Sequence, residues 1–558
     1  MDSTIDGITI EVVRSAFQSI SEEMGSTLIR TSLSPNIKDR MDASTAVYTS
    51  EGELISQAEH IPLHLGLMPS VVEEVLKIYP QESLQEGDAI LINDPYISGS
   101  HLPDVFLLTP VFYKKQLVSI VGNIAHHVDV GGMVPGSSST NATEIFQEGL
   151  RIPAIRLCKN GEIDEDFLRL FLANVRSQEA VGDLYAQIAA NNIGVKRILE
   201  LYKKYDVHFM RECVKEIIDY SYRRMLHAIK QIPNGKYKFK DFLEGDGITE
   251  EFIKIEVELI IHDEKVTIDF SGTDKQSNGP INSTLGVTKA CAYYAIKSLF
   301  DSDIPPNAGA YIPIEVFAPE ETVVHAKFPA AVSNGNSNTS QRIVDTIFGA
   351  LSFALPEKSM AACVGSMNGL TIGGYNYSTN KYFSYIETYG GGQGGMDKLD
   401  GMDGVHTNMT NTKNTPVEVI EQTYPLFIKS YSLAHNSSGS GKYRGGMGII
   451  REIAFECEKA TVIIKMERSK YGPWGLFGGG NGEPAKCFLT KAKTGETHSL
   501  PVKSTIEVER GDILFIQTAG GGGYSSAQER SKNDIENDLS QGVIDMDYIK
   551  KEYHLNYF

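Results

Sequence analysis

Apolar residues recur at threes and fours from residue 7 to 31. Ile10, Val13, Phe17, Ile20 and Met24 share one stripe and Ser34-Pro35 closes the run, so an amphipathic helix is expected there. The segments TAVYTS (45–50) and ELISQ (53–57) flank a Glu-Gly turn and predict a hairpin. Helical spacing returns over residues 67 to 79 and ends at Tyr79-Pro80. Three continuous apolar runs follow: GDAILIND (87–94), VFLLTPVF (105–112) and QLVSIVGNIAHH (116–127). Such runs suit strands buried on both faces. Helices dominate from about 164 to 231 in three stretches. After Pro233 the pattern alternates, and KIEVELIIHDEKVTIDFSGTD predicts a β-hairpin turning at Asp263-Glu264. Glycine is dense between 365 and 525, in YGGGQGGMD, GKYRGGMGII, GLFGGGNG and AGGGGY, with strands such as ATVIIKMER between them. The charged tail 526–558 returns to helix.

These elements predict a mixed α/β, multidomain chain, because 558 residues exceed what one hydrophobic core supports. The expected division is an N-terminal α/β domain at 1–232, a glycine-rich, β-dominated domain at 233–525 and a helical tail at 526–558. Apolar residues at 41% and charged residues at 22% are normal for a folded soluble protein. A formal charge of −19 disfavours nucleic acid or an anionic membrane as partner. Six cysteines lie scattered with no CxxC pair, which argues against a disulfide framework and a zinc finger. The start MDSTIDGITIEVV has three acids and no basic region ahead of an apolar stretch, and no window approaches a membrane span. A soluble, cytoplasmic protein is expected.

Two segments carry candidate metal chemistry. In DPYISGSHLPDVFLLTP (94–110), His101 and Asp104 stand three apart around Pro103, which favours an extended Leu102. In polyproline geometry such residues share a side, roughly 9 Å apart along the axis, and both reach an ion between them. An isolated H-x-x-D is more often a pair of loop residues bonding local backbone. AHHVDVGG (125–132) adds His126, His127 and Asp129 where a strand opens into loops. Alternation puts Val118, Ile120, Ile124 and His126 on one face and Ser119, Asn123, His127 and Asp129 on the other, leaving open which histidine is a ligand. Asp42 in IKDRMDAS opens a strand, ordinarily a turn position. His60 and His64 have helical i, i+4 spacing, but Pro62 intervenes and no HExxH glutamate is present, so they read as packed or hydrogen-bonded residues. The glycine patches fail as nucleotide loops. SGSGKY (438–443) has Asn436 and Tyr443 where the phosphate loop needs Gly and Ser or Thr, and GGGQGG (390–395) does not open a helix. Glycine there permits tight turns and close backbone contacts.

The segments IKDRMDASTAVYTSEGELISQ, HIPLHLGLMPS, INDPYISGSHLPDVFLLTPVF, AHHVDVGGMVPGS, EIFQEGLRIP, DFSGTDKQSNGPIN, HTNMTNTKNTPVEVIE and GKYRGGMGIIRE together resemble the hydantoinase B/oxoprolinase family. The likeness runs from about residue 6 to 555. It implies the B-type subunit of an ATP-dependent hydrolase of cyclic amides such as hydantoins, 5-oxoproline or lactams. An A-type partner with an actin-like ATPase fold would bind ATP and Mg and phosphorylate the amide, and this chain would supply a metal-activated water. The family's ligands fall by motif on Asp42, His101, Asp104 and His126, holding one divalent Zn, Mn or Fe ion. His127 and Asp129 are then candidates for orienting ligands or relaying a proton. The same resemblance admits a subunit of an acetophenone- or acetone-type carboxylase, or a scaffold subunit that has lost its metal. One departure is GGGGYSSAQ, where the family usually reads GGGGYGDP.

Overall fold

The computed structural model describes residues 5–554 apart from 59, 178 and 378. The expected end spans 1–232 and 526–558 each run four residues past it. Asp6 caps the first helix, Gly7–Thr31, its carboxylate accepting from Thr9 N at 3.0 Å. The buried residues of that helix include Val13, Phe17, Ile20 and Met24, the stripe that the spacing predicts.

The first sheet contains β1 (Ala43–Thr49), β2 (Leu54–Gln57), β3 (Ala89–Ile92), β4 (Asp104–Tyr113), β5 (Gln116–His126), β6 (Ile155–Lys159) and β7 (Glu162–Ile163). Its order is β2-β1-β5-β4-β3-β6-β7, antiparallel throughout. Lys114 and Lys115, at φ 52° and 68°, close the two-residue β4–β5 hairpin. Helices cover both faces, which explains the unbroken apolar runs. On one face Val47, Val118 and Val121 meet Phe17, Met24 and Ile198. On the other, Ala46, Tyr48, Ile120 and Ile124 join the largest core. Val118 is thus opposite to its expected face, beside a register shift at Val111/Phe112 of β4.

The helix Pro62–Ile78 starts five residues ahead of its expected position. Pro62 fits its first turn, where a missing N–H leaves no bond unmade. Helices Glu165–Asn174, Glu179–Lys204 and Val207–Lys230 supply the three expected stretches. Beyond them, β8 (Gly235–Glu244), β9 (Phe252–His262), β10 (Lys265–Asp269) and β11 (Ile314–Phe317) form a second sheet, ordered β11-β10-β9-β8. The β9–β10 hairpin turns at Asp263, φ 54°, as its sequence predicts. Helix Ser340–Leu351, with all twelve residues buried, packs on this sheet. The core here runs across residue 233, joining Ile90, Phe106 and Ile124 to Leu259, Ile268 and Val344.

Two further sheets share one core through Ile372, Val462, Ile453 and Ile516. One contains β12 (Gly369–Asn376), β13 (Lys381–Thr388), β16 (Lys459–Lys465) and β19 (Lys503–Glu509), ordered β13-β12-β16-β19. The other contains β14 (Leu426–Leu433), β15 (Ile449–Phe455), β17 (Lys486–Thr490), β18 (Thr497–Ser499) and β20 (Ile513–Gln517), ordered β14-β15-β20-β17-β18. The glycine patches lie against one another. A Cβ on Gly392 would meet Gly521 N at 2.0 Å and Gly446 O at 2.1 Å, so these loops close only without side chains. In the tail, helix Lys532–Ser540 buries Ile535 against Met447. Among the described residues no helix is long and apolar enough to cross a membrane.

Candidate metal centre

Strand register builds the site. Asp104, first in β4, pairs with His126, last in β5, and Ala43 of β1 pairs with Ala125. Asp42 therefore lies one step from His126, whose N–H donates to the Asp42 carbonyl at 3.0 Å. Three of the four candidate ligands thus end three adjacent strands at one edge. His101 arrives by a turn: Asp104 N donates to His101 O at 3.0 Å. This corrects the extended geometry expected for HLPD. The turn folds the pair together, and His101 Nε2 lies 3.4 Å from Asp104 Oδ2.

Ligand atoms of His101, Asp104 and His126 all lie within 4.8 Å of one another. The two imidazole rings are 5.0 Å apart. Asp42 lines the same cavity without joining that tight cluster. Around the cavity stand Arg40, His64, Asn336, Thr371, Glu387, Thr388, Thr412 and Lys465, and it encloses about 60 Å³. It lies between the ends of β1, β4 and β5 and the edge of the sheet formed by β12, β13 and β16.

The hydrogen bonds favour an ion. His101 Nδ1 lies 3.2 Å from Ser333 O, so the proton sits on Nδ1 and the Nε2 lone pair faces Asp104. Asn336 Nδ2 lies 3.2 Å from that Nε2 and Ser100 Oγ donates to Asp104 Oδ2, yet the two acceptors still stand 3.4 Å apart, a spacing that a cation or a proton between them relieves. Asp104 Oδ1 is buried with no hydrogen-bond partner, and only His64 Nε2, at 3.8 Å, approaches it as a potential charge. Burial opposes ionisation of Asp104, but His101 and His64 hold its carboxyl well below the usual range. Burial lowers His126 to about 4, so its imidazole is neutral, as a ligand must be. Asn36 Nδ2 reaches His126 Nδ1 at 3.1 Å and its carbonyl at 2.8 Å, fixing the ring. Two imidazoles and two carboxylates suit a borderline divalent ion. The residues present fit such an ion.

His127 and Asp129 are not brought to this cavity. His127 points to the opposite face, where Nε2 lies 3.0 Å from Gln187 Oε1 and the ring meets Phe171 edge-on. Asp129 accepts from Gly131 N (2.9 Å), Gly136 N (3.0 Å) and Arg176 Nη1 (2.9 Å), pinning a loop. The relay roles expected of them have no geometric support, because one strand presents neighbours to opposite sides. His64, which the sequence reads as a packed residue, does reach the site, its Nδ1 held 3.1 Å from Ser44 Oγ. His60 lines a separate aromatic cleft with Tyr293 and Tyr294. Lys465 is a further cavity residue outside the sequence expectations, although a lone lysine ending the apolar run ATVIIK is a visible signal.

Lys465 is buried, its Nζ donating to Ser138 Oγ, and burial lowers it to about 8. Gly369 makes room for its stem: a Cβ there would stand 3.0 Å from Lys465 Cε. Glu148, buried behind His101, accepts from Val332 N at 3.1 Å and Ser333 N at 2.9 Å. It thereby fixes the carbonyl that orients His101, and burial raises its carboxyl to about 7.

The sequence profile described as hydantoinase B/oxoprolinase matches residues 6–527. The chain is 36% identical to 5-oxoprolinase 1 of Arabidopsis thaliana, over 94% of this chain and 42% of that protein. It therefore spans less than half of the plant protein. It is 32% identical to a putative B-type D-/L-hydantoinase subunit of Pseudomonas sp. (strain NS671), over 98% of this chain and 95% of the other. The structure of an ATP-dependent caprolactamase from Pseudomonas jessenii superposes with a TM-score of 0.93 at 27% identity, covering 100% of this chain and 97% of that one.

Proposed function

This chain belongs to the hydantoinase B/oxoprolinase family, and from that premise we propose that it is the ring-opening subunit of an ATP-dependent cyclic-amide hydrolase. An A-type subunit would bind ATP and Mg and phosphorylate the amide oxygen. The observation that carries the reading is the cluster of buried His101 and Asp104 with half-buried His126, which has an unpartnered Asp104 oxygen and faces a cavity. Asp42 completes the proposed ligand set for one divalent Zn, Mn or Fe ion. Bound there, such an ion supplies Lewis-acid polarisation and makes water acidic enough to act as a nucleophile near neutral pH.

The chain's own residues do the rest. The Ser333 carbonyl keeps the His101 proton on Nδ1, so the Nε2 lone pair faces the cavity, where Asn336 Nδ2 lies 3.2 Å away. Asn36 holds the His126 ring. Burial keeps His126 neutral and excludes bulk water, which strengthens every charge interaction in the cavity. Thr371, Thr388 and Thr412 on the cavity wall offer hydroxyls to a ring amide. The failed phosphate loops fit a division of labour in which ATP binds the partner. The test is reconstitution with the A-type subunit, a lactam, ATP and ¹⁸O-water. Label in the product carboxylate is expected only with both subunits and ATP. Product that instead contains added bicarbonate carbon would make the protein a carboxylase subunit, and no turnover with any cyclic amide would leave a scaffold.

A further inference from the structure

Seven lysine and arginine side chains are buried among the described residues: Arg40, Arg342, Arg444, Arg451, Lys465, Arg468 and Arg530. Five of them face a carboxylate within 4 Å. Arg40 and Lys465 do not, and both line the cavity of the His–Asp cluster. Arg40 is 1% exposed and Lys465 8%. Arg40 donates to Asn36 Oδ1, to Ile386 O at 3.2 Å and to Thr388 Oγ1 at 2.7 Å, all neutral, and its buried Nε has no partner. Among the described residues, Lys465 Nζ donates only to the Ser138 hydroxyl. Glu148, a buried carboxylate whose charge reaches Lys465, accepts from the amides of Val332 and Ser333.

A buried cation without a counterion is costly, and folded proteins pair such charges. Two that share one cavity mark where a ligand's negative charge goes. The charge balance agrees. The cavity wall carries Asp42, Asp104 and Glu387 against Arg40 and Lys465. A divalent ion on the cluster would leave the sum positive, so the loaded site attracts an anion.

We propose that Arg40 and Lys465 form an anion-binding subsite that holds the negatively charged oxygen group of the ring substrate within the cavity shared with the His101–Asp104–His126 cluster. The subsite rests on the function proposed above, and it names the substrate that function accepts. That substrate is a ring bearing a phosphoryl or carboxylate group, in preference to the neutral amide. Arg40 supplies a planar fork and Lys465 a point charge, a combination suited to oxyanions.

The test titrates inorganic phosphate and, separately, acetate into the metal-analysed chain by calorimetry. Wild type is expected to bind one of these anions with at least tenfold higher affinity than Lys465→Met, while Lys465→Arg retains binding and all three proteins hold equal metal. Phosphate preference assigns the subsite to a phosphoryl group, and acetate preference to a substrate carboxylate. Equal affinity in wild type and Lys465→Met, or no binding of either anion by wild type at millimolar concentration, overturns the proposal. If Lys465→Met does not fold, wild type carries the test. The bound anion should slow carbamylation of Lys465 by cyanate, read by peptide mass, and unchanged modification again overturns it. Failure of ring opening with a partner would leave these readouts intact, so the two ideas fall separately.

Discussion

Two groups of buried charge lie in this fold, and they are built by opposite rules. Beside helix Ser340–Leu351, Asp241 faces Arg468 at 2.8 Å and Arg342 at 3.4 Å, Asp345 faces Arg468 at 3.1 Å, and Trp474 Nε1 donates to Asp241 at 2.9 Å. Burial opposes ionisation of Asp241, yet the two guanidinium groups keep its carboxyl below the ordinary range. In the cavity, Asp104 faces two imidazoles and the Ser100 hydroxyl, and among the described residues Arg40 and Lys465 have no carboxylate within 4 Å. The first group closes on itself and ties β8 to the segment after β16. The second leaves both signs of charge open toward one space. Closed charge serves the fold, whereas open charge is held ready for a ligand.

Removing one charge from each group breaks the comparison most directly. Arg468→Ala leaves two carboxylates buried, and losing one partner of such a pair costs about 3–5 kcal/mol, so thermal unfolding should shift down by several degrees. Asp104→Asn, measured on metal-free protein, should lower the unfolding temperature clearly less than Arg468→Ala, because Asp104 has only imidazoles and a hydroxyl beside it and no guanidinium to leave unpaired. Equal destabilisation by the two substitutions would erase the distinction.

Next in size is His64→Asn, which should weaken metal affinity by about 10- to 100-fold without changing ligand number, as loss of a ligand's neighbour commonly does. Competition with a chelator measures it. Metal affinity equal to wild type would make His64 a packing residue. A pH effect follows. Burial depresses His126 to about 4 and His406 to about 3, from an ordinary 6.5. A depressed folded value means that the stability is present above pH 6.5 and is lost as pH falls toward 4, because the unfolded chain takes up protons first. Metal-free protein should therefore lose stability steadily between pH 6.5 and 4 in urea titrations, and His406→Leu should flatten that slope. The smallest effect belongs to His127→Gln. It should cost about 1 kcal/mol for the lost bond to Gln187 and leave metal content unchanged; loss of metal would return His127 to the site.

Much of this contrast is legible in the sequence because it rests on short-range pattern. The Val13–Phe17–Ile20–Met24 stripe, the apolar strand runs and the hairpin at Asp263 follow from periodicity, and residues 42, 101, 104 and 126 stand in recognisable motifs. The rest depends on pairing between distant segments. Strand order brings the ends of β1, β4 and β5 together, and no local pattern states that order. His64 is hidden because Pro62 reads as a helix breaker in sequence but serves as the first residue of a helix. Lys465 lies more than 300 residues from His126, and only the approach of the end of β16 to the first sheet makes it part of the cavity. The turn at His101 escapes the sequence because the rule for a residue before proline favours an extended backbone, while Asp104 N finds His101 O.

The central claim is that the open group is a metal centre. Elemental analysis of the purified chain beside its Asp104→Asn variant tests it without a substrate or a partner. One divalent ion per wild-type chain, absent from a variant that remains folded, is the expected result. An ion retained equally by both proteins, or a wild-type chain that takes up none from excess Zn, Mn or Fe, would contradict it.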